Sequence, residues 1–438
     1  MGCKKQYVGH DFEEALCDLF PPQWLHETAK ETGLVKRERK VNPTALFWVL
    51  VLSFGVGMQR TLASLKRSYE REGDVALSDS SWYDRFSPEL VRFLKTCVIH
   101  GIEQLAAAEH RCLSEKLKRF QDVLIQDSTI IRLHKMLAKQ WPAARSRQVA
   151  AGVKVSVLVS AVANSMKSVS LVAERTHDMK TIRIGPWVKD RILLIDLGFY
   201  KHHLFTRISE NSGFFVSRLK GTADPTIVAV QSICRGNSID VVGQRVSAVL
   251  PRLHRQVLDA EVEVPVKRRG YNGKHRKDTM RFRMVAVFNR EDGVYHLYLT
   301  NISSALLTPD DIASLYGARW EVELIFKELK SRYALDVIRT TNAMVVAALI
   351  WVAILTLLAS RQIYNLVRRR AEATGKAVVR FTHLRWSTVF SENADNHLHA
   401  LLRYLNIKME LIDFYRLYDC QAFDPHVKRQ RFREEWWA

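Results

Sequence analysis

Four residues near the end of the most ordered stretch, Tyr316, Arg319, Glu323 and Lys330, combine types and spacing that could do chemistry. On one continuous helix of about 3.6 residues per turn, positions seven apart nearly superimpose. Tyr316, Glu323 and Lys330 would then share a face, with Arg319 inside the same arc of roughly 60°. Val322, Ile325, Phe326 and Leu329 fall mostly on the other side and are expected in a core. One carboxylate is thereby held among a phenol, a guanidinium and an ammonium. An acid flanked by cations suits a metal ion beside a phosphate. A solvated amphipathic helix is the plain alternative, so Glu323 needs carboxylate partners elsewhere.

Two such partners stand out. Asp127 follows the apolar run Val123-Leu-Ile125 and Asp196 follows Ile192-Leu-Leu-Ile195. Each is expected to end a short strand, and carboxylates at the ends of neighbouring strands can converge on one point. With Glu323 they make three hard oxygen donors, a set that favours Mg²⁺ or Mn²⁺ over zinc. Two such ions about 4 Å apart can activate a water or a 3′-hydroxyl and stabilise the leaving oxygen in phosphodiester cleavage.

The composition supplies a substrate. The chain has 438 residues, a formal net charge of +20 and a sequence pI near 9.8. Lys36–Lys40, Lys267-Arg268-Arg269, Arg368–Arg370 and Lys428–Arg431 spread the basic charge along its length, which favours a polyanion over one small anion pocket. Apolar content of 47% is that of a folded protein with two or three domains. Six scattered cysteines without a CxxC pair suggest neither a disulfide framework nor a zinc site. They point to a reducing, cytoplasmic setting. No apolar stretch follows Met1 as a signal peptide would require. The run Ala343–Ser360 is near the lower limit for a membrane span, but its small residues suit a buried central helix, and no membrane partner is expected.

These residues need elements to position them. Residues 1–115 read as helical. A helix over Gln59–Glu72, a short one over Ser78–Phe86 and another started by Ser87-Pro88 resemble a helix-turn-helix, though a small helical bundle would look alike. Strands are expected at Val123–Ile125, Val153–Val162, Ser168–Arg175, Ile192–Ile195 and Phe214–Lys220, with a helix over 201–211, giving an α/β core with a mixed sheet. Residues 222–305 are strand-rich, with Asn-Gly and Asp-Gly hairpin signals at Tyr271–Lys274 and Glu291–Val294. After 340 the chain is helical.

Taken together, Asp127-Ser-Thr, Asp196-Leu-Gly-Phe-Tyr, Arg218-Leu-Lys220, Leu299-Thr-Asn301 and the Tyr-(2)-Arg-(3)-Glu-(6)-Lys spacing at 316–330 resemble a DDE transposase of the insertion-sequence-four family. That resemblance covers about residues 120–340. It implies an RNase H-like mixed-sheet catalytic core (116–221 and 306–340) with a β-strand insertion (222–305). The core would be flanked by an N-terminal helical DNA-binding region (1–115) and a C-terminal helical region for DNA contact or dimerisation (341–438). Asp127, Asp196 and Glu323 would be the metal-binding triad for two Mg²⁺ ions, with Mn²⁺ able to substitute. Tyr316, Arg319 and Lys330 would grip DNA phosphates, as would Arg218, Lys220, Lys267, Arg268, Arg269 and Tyr271. The partners implied are transposon-end DNA, target DNA and a second copy of the chain in a synaptic complex. Family members that pass through a DNA hairpin stack a flipped base on an aromatic ring, often Trp. Residues 197–319 contain no Trp, leaving Tyr271 or Tyr298 as candidates.

Nearby charges have plainer readings. Asp122 is expected to be solvated, Glu321 a surface charge and Glu328 a salt-bridge partner. His177-Asp178 reads as a turn with a capping Asp, a substrate contact being the alternative. An endonuclease without strand transfer, or an inactive DNA-binding derivative, would share most of these features.

Overall fold

The computed structural model describes residues 11–37, 41–55, 61–73, 75–108, 113–144, 150–163, 165–231, 239–269, 275–333, 335, 338–375 and 382–407. In chain order its helices are α1 (Asp11–Leu19), α2 (Pro22–Glu31), α3 (Pro43–Val49), α4 (Leu62–Gly73), α5 (Asp79–Tyr83), α6 (Pro88–Ala108), α7 (His202–Glu210), α8 (Val246–Val249), α9 (Pro309–Gly317), α10 (Trp320–Ser331), α11 (Ala343–Ala373), α12 (His383–Glu392) and α13 (Ala394–Tyr404). The strands are β1 (Asp122–Leu133), β2 (Ala151–Ser160), β3 (Ser165–Ala173), β4 (Arg191–Ile195), β5 (Phe214–Arg218), β6 (Thr226–Val230), β7 (Val257–Arg269), β8 (His275–Asn289) and β9 (Val294–Thr300). They divide between two units, residues 102–327 and residues 1–101 with 328–438, and the boundaries fall inside α6 and α10.

The first unit is built on one nine-stranded sheet of order β3-β2-β1-β4-β5-β9-β8-β7-β6. β1 runs antiparallel to β2 and parallel to β4, and β4 runs parallel to β5. That half is a mixed α/β sheet with the strand order and directions expected of an RNase H-like core. The strand-rich stretch after residue 222 continues the same sheet, because β9 pairs antiparallel with β5. Alternation explains the burial. Phe205 of α7 stacks on Phe215 of β5, with ring centroids 4.4 Å apart, and Phe282 of β8 packs edge-on against Phe215 at 5.2 Å. A buried ion pair joins β7 to β8: the Arg283 guanidinium donates to both Asp259 carboxylate oxygens at 2.7 Å. Its remaining nitrogen donates to the carbonyls of Ile302 and Leu307, fixing the loop that leads into α9. Asn301 does the same at the sheet, accepting from the Phe215 amide and donating to the Gly213 carbonyl.

Several elements differ from the sequence reading. β1 does not stop at Ile125; it continues through Leu133 because β2 goes on pairing with it after β4 has ended. Tyr316 to Lys330 is not one helix. α9 ends at Gly317 and α10 begins at Trp320, with tighter i→i−3 hydrogen bonds from Ala318, Arg319, Glu321 and Val322 across the break. Asp122 is buried, not solvated, and accepts from the Ser160 hydroxyl at 2.7 Å and the Val162 amide at 3.2 Å. Asp178 is not the cap of its turn; His177 takes that place.

The second unit is helical. α11 is long and apolar enough to cross a membrane, yet 89% of its most apolar window is buried within the protein, as a central helix should be. The helix expected from Gln59 begins at Leu62 within the described residues, and α5, the short helix expected over Ser78–Phe86, is five residues long. Its Trp82 turns inward and donates to the Leu62 carbonyl at 2.8 Å, while Tyr83 is exposed. Glu328 does form a salt bridge: Arg361 of α11 donates to it at 2.6 Å, with both side chains buried. The second carboxylate oxygen accepts from the Tyr333 hydroxyl, which also contacts Ser360.

Candidate active site

The parallel pairing of β1 with β4 ends at Gln126 opposite Ile195. Asp127 and Asp196 are the next residue on each strand, so the sheet itself places them side by side. Asp127 is largely buried, and its Oδ1 accepts from the Ser128 amide at 2.7 Å. Asp196 caps the short turn that follows β4, accepting from the Gly198 amide at 3.3 Å. Glu323 comes from the first turn of α10, whose Val322, Ile325, Phe326 and Leu329 are all buried and anchor the helix.

Arg319 joins the three. Its Nη2 donates to Glu323 Oε1 at 2.5 Å, its Nη1 to Asp127 Oδ2 at 3.4 Å, and its Nε lies 3.8 Å from Asp196 Oδ1. The guanidinium carbon sits 5.9 Å from the centroid of the Tyr316 ring, close enough for a cation–π contact. Tyr316 is itself buried against Tyr298, with centroids 5.4 Å apart. Burial and the nearby Asp196 push its phenol up to about 12. Burial is also the main reason that the Asp127 carboxyl is raised to about 6; the charges of Asp196 and Glu323 add to it, and Arg319 works against it.

Three mutually repelling carboxylates offset by one monocation form a donor set that a hard dication would fit. Among the described residues, no three His, Cys, Asp or Glu side chains already surround one point closely enough to hold an ion. In this arrangement the carboxylates are engaged by Arg319.

The other sequence candidates divide. Arg218 lies opposite Tyr298 where β5 meets β9, and its charge bears on the Tyr316 phenol, so it belongs to the wall of the site. Lys220 follows β5 and is exposed. Lys330 lies on α10 two turns after Glu323, beyond the boundary between the two units. Lys267, Arg268 and Arg269 form the end of β7 in register with Lys277, Arg276 and His275; their side chains lie outside the described residues. Tyr271, the C-terminal basic run and the terminal aromatics are outside them too. Tyr298 is packed against Tyr316 and 6% exposed, so it offers no free face to a flipped base.

Sequence reasoning missed one cluster. Lys154, in the middle of β2, is buried and donates to Asp178 Oδ1 and to the Thr176 carbonyl, both at 2.7 Å. Its signal was a lone cation inside the apolar run Val153-Lys-Val-Ser-Val157.

Comparison with known proteins identifies the family. Residues 118–358, more than half of the chain, match the family model described as "Transposase DDE domain". The chain belongs to the DDE transposase family. The DDE transposase family that the combined motifs resemble is the family found. Among curated relatives, the transposase for insertion sequence element IS231B of Bacillus thuringiensis subsp. berliner is 20% identical over 358 residues, covering 74% of this chain and 73% of the relative. The transposase for IS1151 of Clostridium perfringens is 20% identical over 371 residues, with coverages of 77% and 76%. Among solved structures, a piggyBac transposase synaptic complex with hairpin DNA is similar at a TM-score of 0.46 and 11% identity, covering 97% of this chain and 88% of that one. As a member of the DDE transposase family the protein is a DNA transposase, and the family implies the use of divalent metal ions.

Proposed function

We propose that this transposase binds the terminal inverted repeats of its element, cleaves the DNA ends and joins them to target DNA. The supporting observation is the meeting of Asp127, Asp196 and Glu323 on one guanidinium. In this reading the three carboxylates hold two Mg²⁺ ions, which Mn²⁺ can replace. Bound there, the ions supply charge stabilisation for the attacking and leaving oxygens of an in-line displacement. In the hydrolytic step a water oxygen bonds to phosphorus while the bond to the 3′-oxygen breaks; the water gives up a proton to solvent and the leaving oxygen takes one up, leaving a 5′-phosphate and a 3′-hydroxyl. In the joining step a terminal 3′-hydroxyl replaces the water, and a target phosphodiester loses its own 3′-oxygen bond. Asp127 and Asp196 are fixed by strands and Glu323 by a packed helix, so the protein's part is pre-organisation.

Arg319 then turns from the carboxylates to a DNA phosphate. Tyr316, Arg218, Lys220, Lys330 and the basic end of β7 (Lys267, Arg268, Arg269), with Tyr271 beyond it, hold neighbouring phosphates. The helical regions at 1–115 and 341–438 hold the ends and a second copy of the chain. This chemistry belongs to the bacterial cytoplasm, on nucleoid DNA.

The test is Glu323→Gln, which keeps shape and removes the ligand charge. With pre-cleaved duplexes carrying the DNA that flanks the gene, wild-type protein and Mg²⁺ should yield strand-transfer products. The variant should lose at least about 100-fold in rate while still shifting the duplex in a gel. Wild-type protein that cuts intact ends but does not join pre-cleaved ones would be a nuclease only, and near-normal rates in the variant would remove Glu323 from the site.

A further inference from the structure

Asp127 is gripped from both sides by a short turn that the transposase motifs do not include. Strand alternation points Gln126 and Ser128 to the face opposite Asp127. On that face Gln126 Nε2 donates to the Ser156 hydroxyl at 2.8 Å, Ser156 donates to Thr181 Oγ1 at 2.9 Å, and Thr181 donates to the Asp178 carbonyl at 2.7 Å. From the other neighbour, the Ser128 hydroxyl donates to Asp178 Oδ1 at 3.1 Å. The same oxygen takes the Lys154 ammonium at 2.7 Å, where the lysine side chain is 8% exposed. The turn also touches the second aspartate's loop. A methyl group at Gly198 would come within 3.2 Å of Asp178 Oδ2 and 3.9 Å of Asp196 Oδ2, so both carboxylates border that glycine.

The ammonium is buried and the carboxylate is about a quarter exposed, so the pair gives a buried lysine its counter-charge and leaves one face of Asp178 toward the Asp196 loop. The Asp178 carboxylate is bonded to Ser128, the residue after Asp127, and borders Gly198, two residues after Asp196, while its backbone carbonyl closes the chain that starts at Gln126. We propose that Asp178, charged and oriented by Lys154, is a positioning residue that sets the separation of Asp127 and Asp196 and hence the affinity of the site for its divalent ions. The inference rests on the metal-binding reading of the triad given above. Groups that orient metal ligands typically contribute 10- to 100-fold in affinity.

The experiment uses the full-length chain, with Mn²⁺ alone as the binding probe, read by electron paramagnetic resonance. A supercoiled plasmid carrying the gene's flanking DNA serves as the cleavage substrate. Asp178→Asn should weaken Mn²⁺ binding on the order of 10-fold or more and raise half-saturating Mg²⁺ for cleavage in step. Its DNA binding and its rate at saturating metal should stay near wild type. Gly198→Ala, which crowds Asp178 without removing a charge, should move both readings in the same direction by less. Folded variants with wild-type Mn²⁺ affinity would overturn the proposal. If Asp178→Asn does not fold, Ser128→Ala decides: weaker Mn²⁺ binding supports the link and an unchanged affinity refutes it. The two readings fail separately. Wild-type protein that binds Mn²⁺ but cuts no DNA removes the proposed function and leaves the Mn²⁺ comparison to stand. Wild-type protein that binds no Mn²⁺ overturns both.

Discussion

Arg319 and Glu323 meet at 2.5 Å across the break between α9 and α10, and the same guanidinium faces Asp127 and Asp196. A single positive charge is thus the only cation within 4 Å of all three carboxylates among the described residues. Any dication entering the triad must compete with it, and any phosphate arriving at the site offers the guanidinium another partner. In the proposed reading, metal and DNA binding are coupled through this one side chain.

Arg319→Ala separates those roles. Without the competitor, Mn²⁺ should bind the DNA-free protein more tightly, by roughly 3- to 10-fold, the size of one partly screened charge contact. Affinity for duplex DNA should fall at the same time. Calorimetric titration with Mn²⁺ in the absence of DNA checks the first effect, and weaker metal binding in the variant would refute competition.

The Glu328–Arg361 pair makes a stability prediction in the helical unit. Both side chains are buried and hydrogen-bonded at 2.6 Å. Glu328→Leu alone strands a buried guanidinium and should cost about 3–5 kcal/mol. Adding Arg361→Met removes the stranded charge and should recover most of that loss. Urea melts of the two single variants and the double variant form the cycle, and strict additivity would argue that the pair does not interact.

Much of the site was legible because its determinants are local. Asp127 and Asp196 each follow an apolar run that can only be a buried strand, and Arg319 stands four residues before Glu323, one helical turn away. The helix break was not legible: Gly317 does not take the left-handed conformation of a glycine stop, and the cap of α9, Ala318, lies in the right-handed region. Arg319 still reaches Glu323 because the two stay four residues apart across the tight turn at 318–319. The length of β1 was not legible from Val123–Ile125: its second half is held by β2, a partner its own sequence does not announce. Lys154 and Asp178 were harder again. They are 24 residues apart with β3 between them, and periodicity carries no information about such pairings.

The helical unit should also lose stability in mild acid. His397 packs between the rings of Phe12 and Phe390, and burial pushes its imidazole down from 6.5 to about 4. The fold therefore favours the neutral form. That contribution is fully present above the unfolded value of 6.5 and is lost as pH falls toward 4. His397→Phe keeps a ring in the stack and removes the titration. Urea midpoints at about pH 7.5 and about pH 5 should differ less in the variant than in wild type. An equal drop in both would locate the acid sensitivity elsewhere.

The phosphate contacts can be counted by salt. Each neutralised phosphate contributes about −0.9 to the slope of log K against log salt for duplex DNA. Lys220→Ala removes an exposed charge beyond β5, and Lys330→Ala removes one from α10; each should flatten the slope by about one contact, and the double variant by about two. Arg218 is different, because it borders Tyr316 as well as solvent. Arg218→Ala should flatten the slope by a similar step and also loosen the wall on which Arg319 rests. It should therefore weaken DNA binding at high salt, where the lysine variants approach wild type. Fluorescence anisotropy over a range of KCl concentrations distinguishes the two patterns. Identical behaviour of all three variants at high salt would mean that Arg218 acts only as a charge.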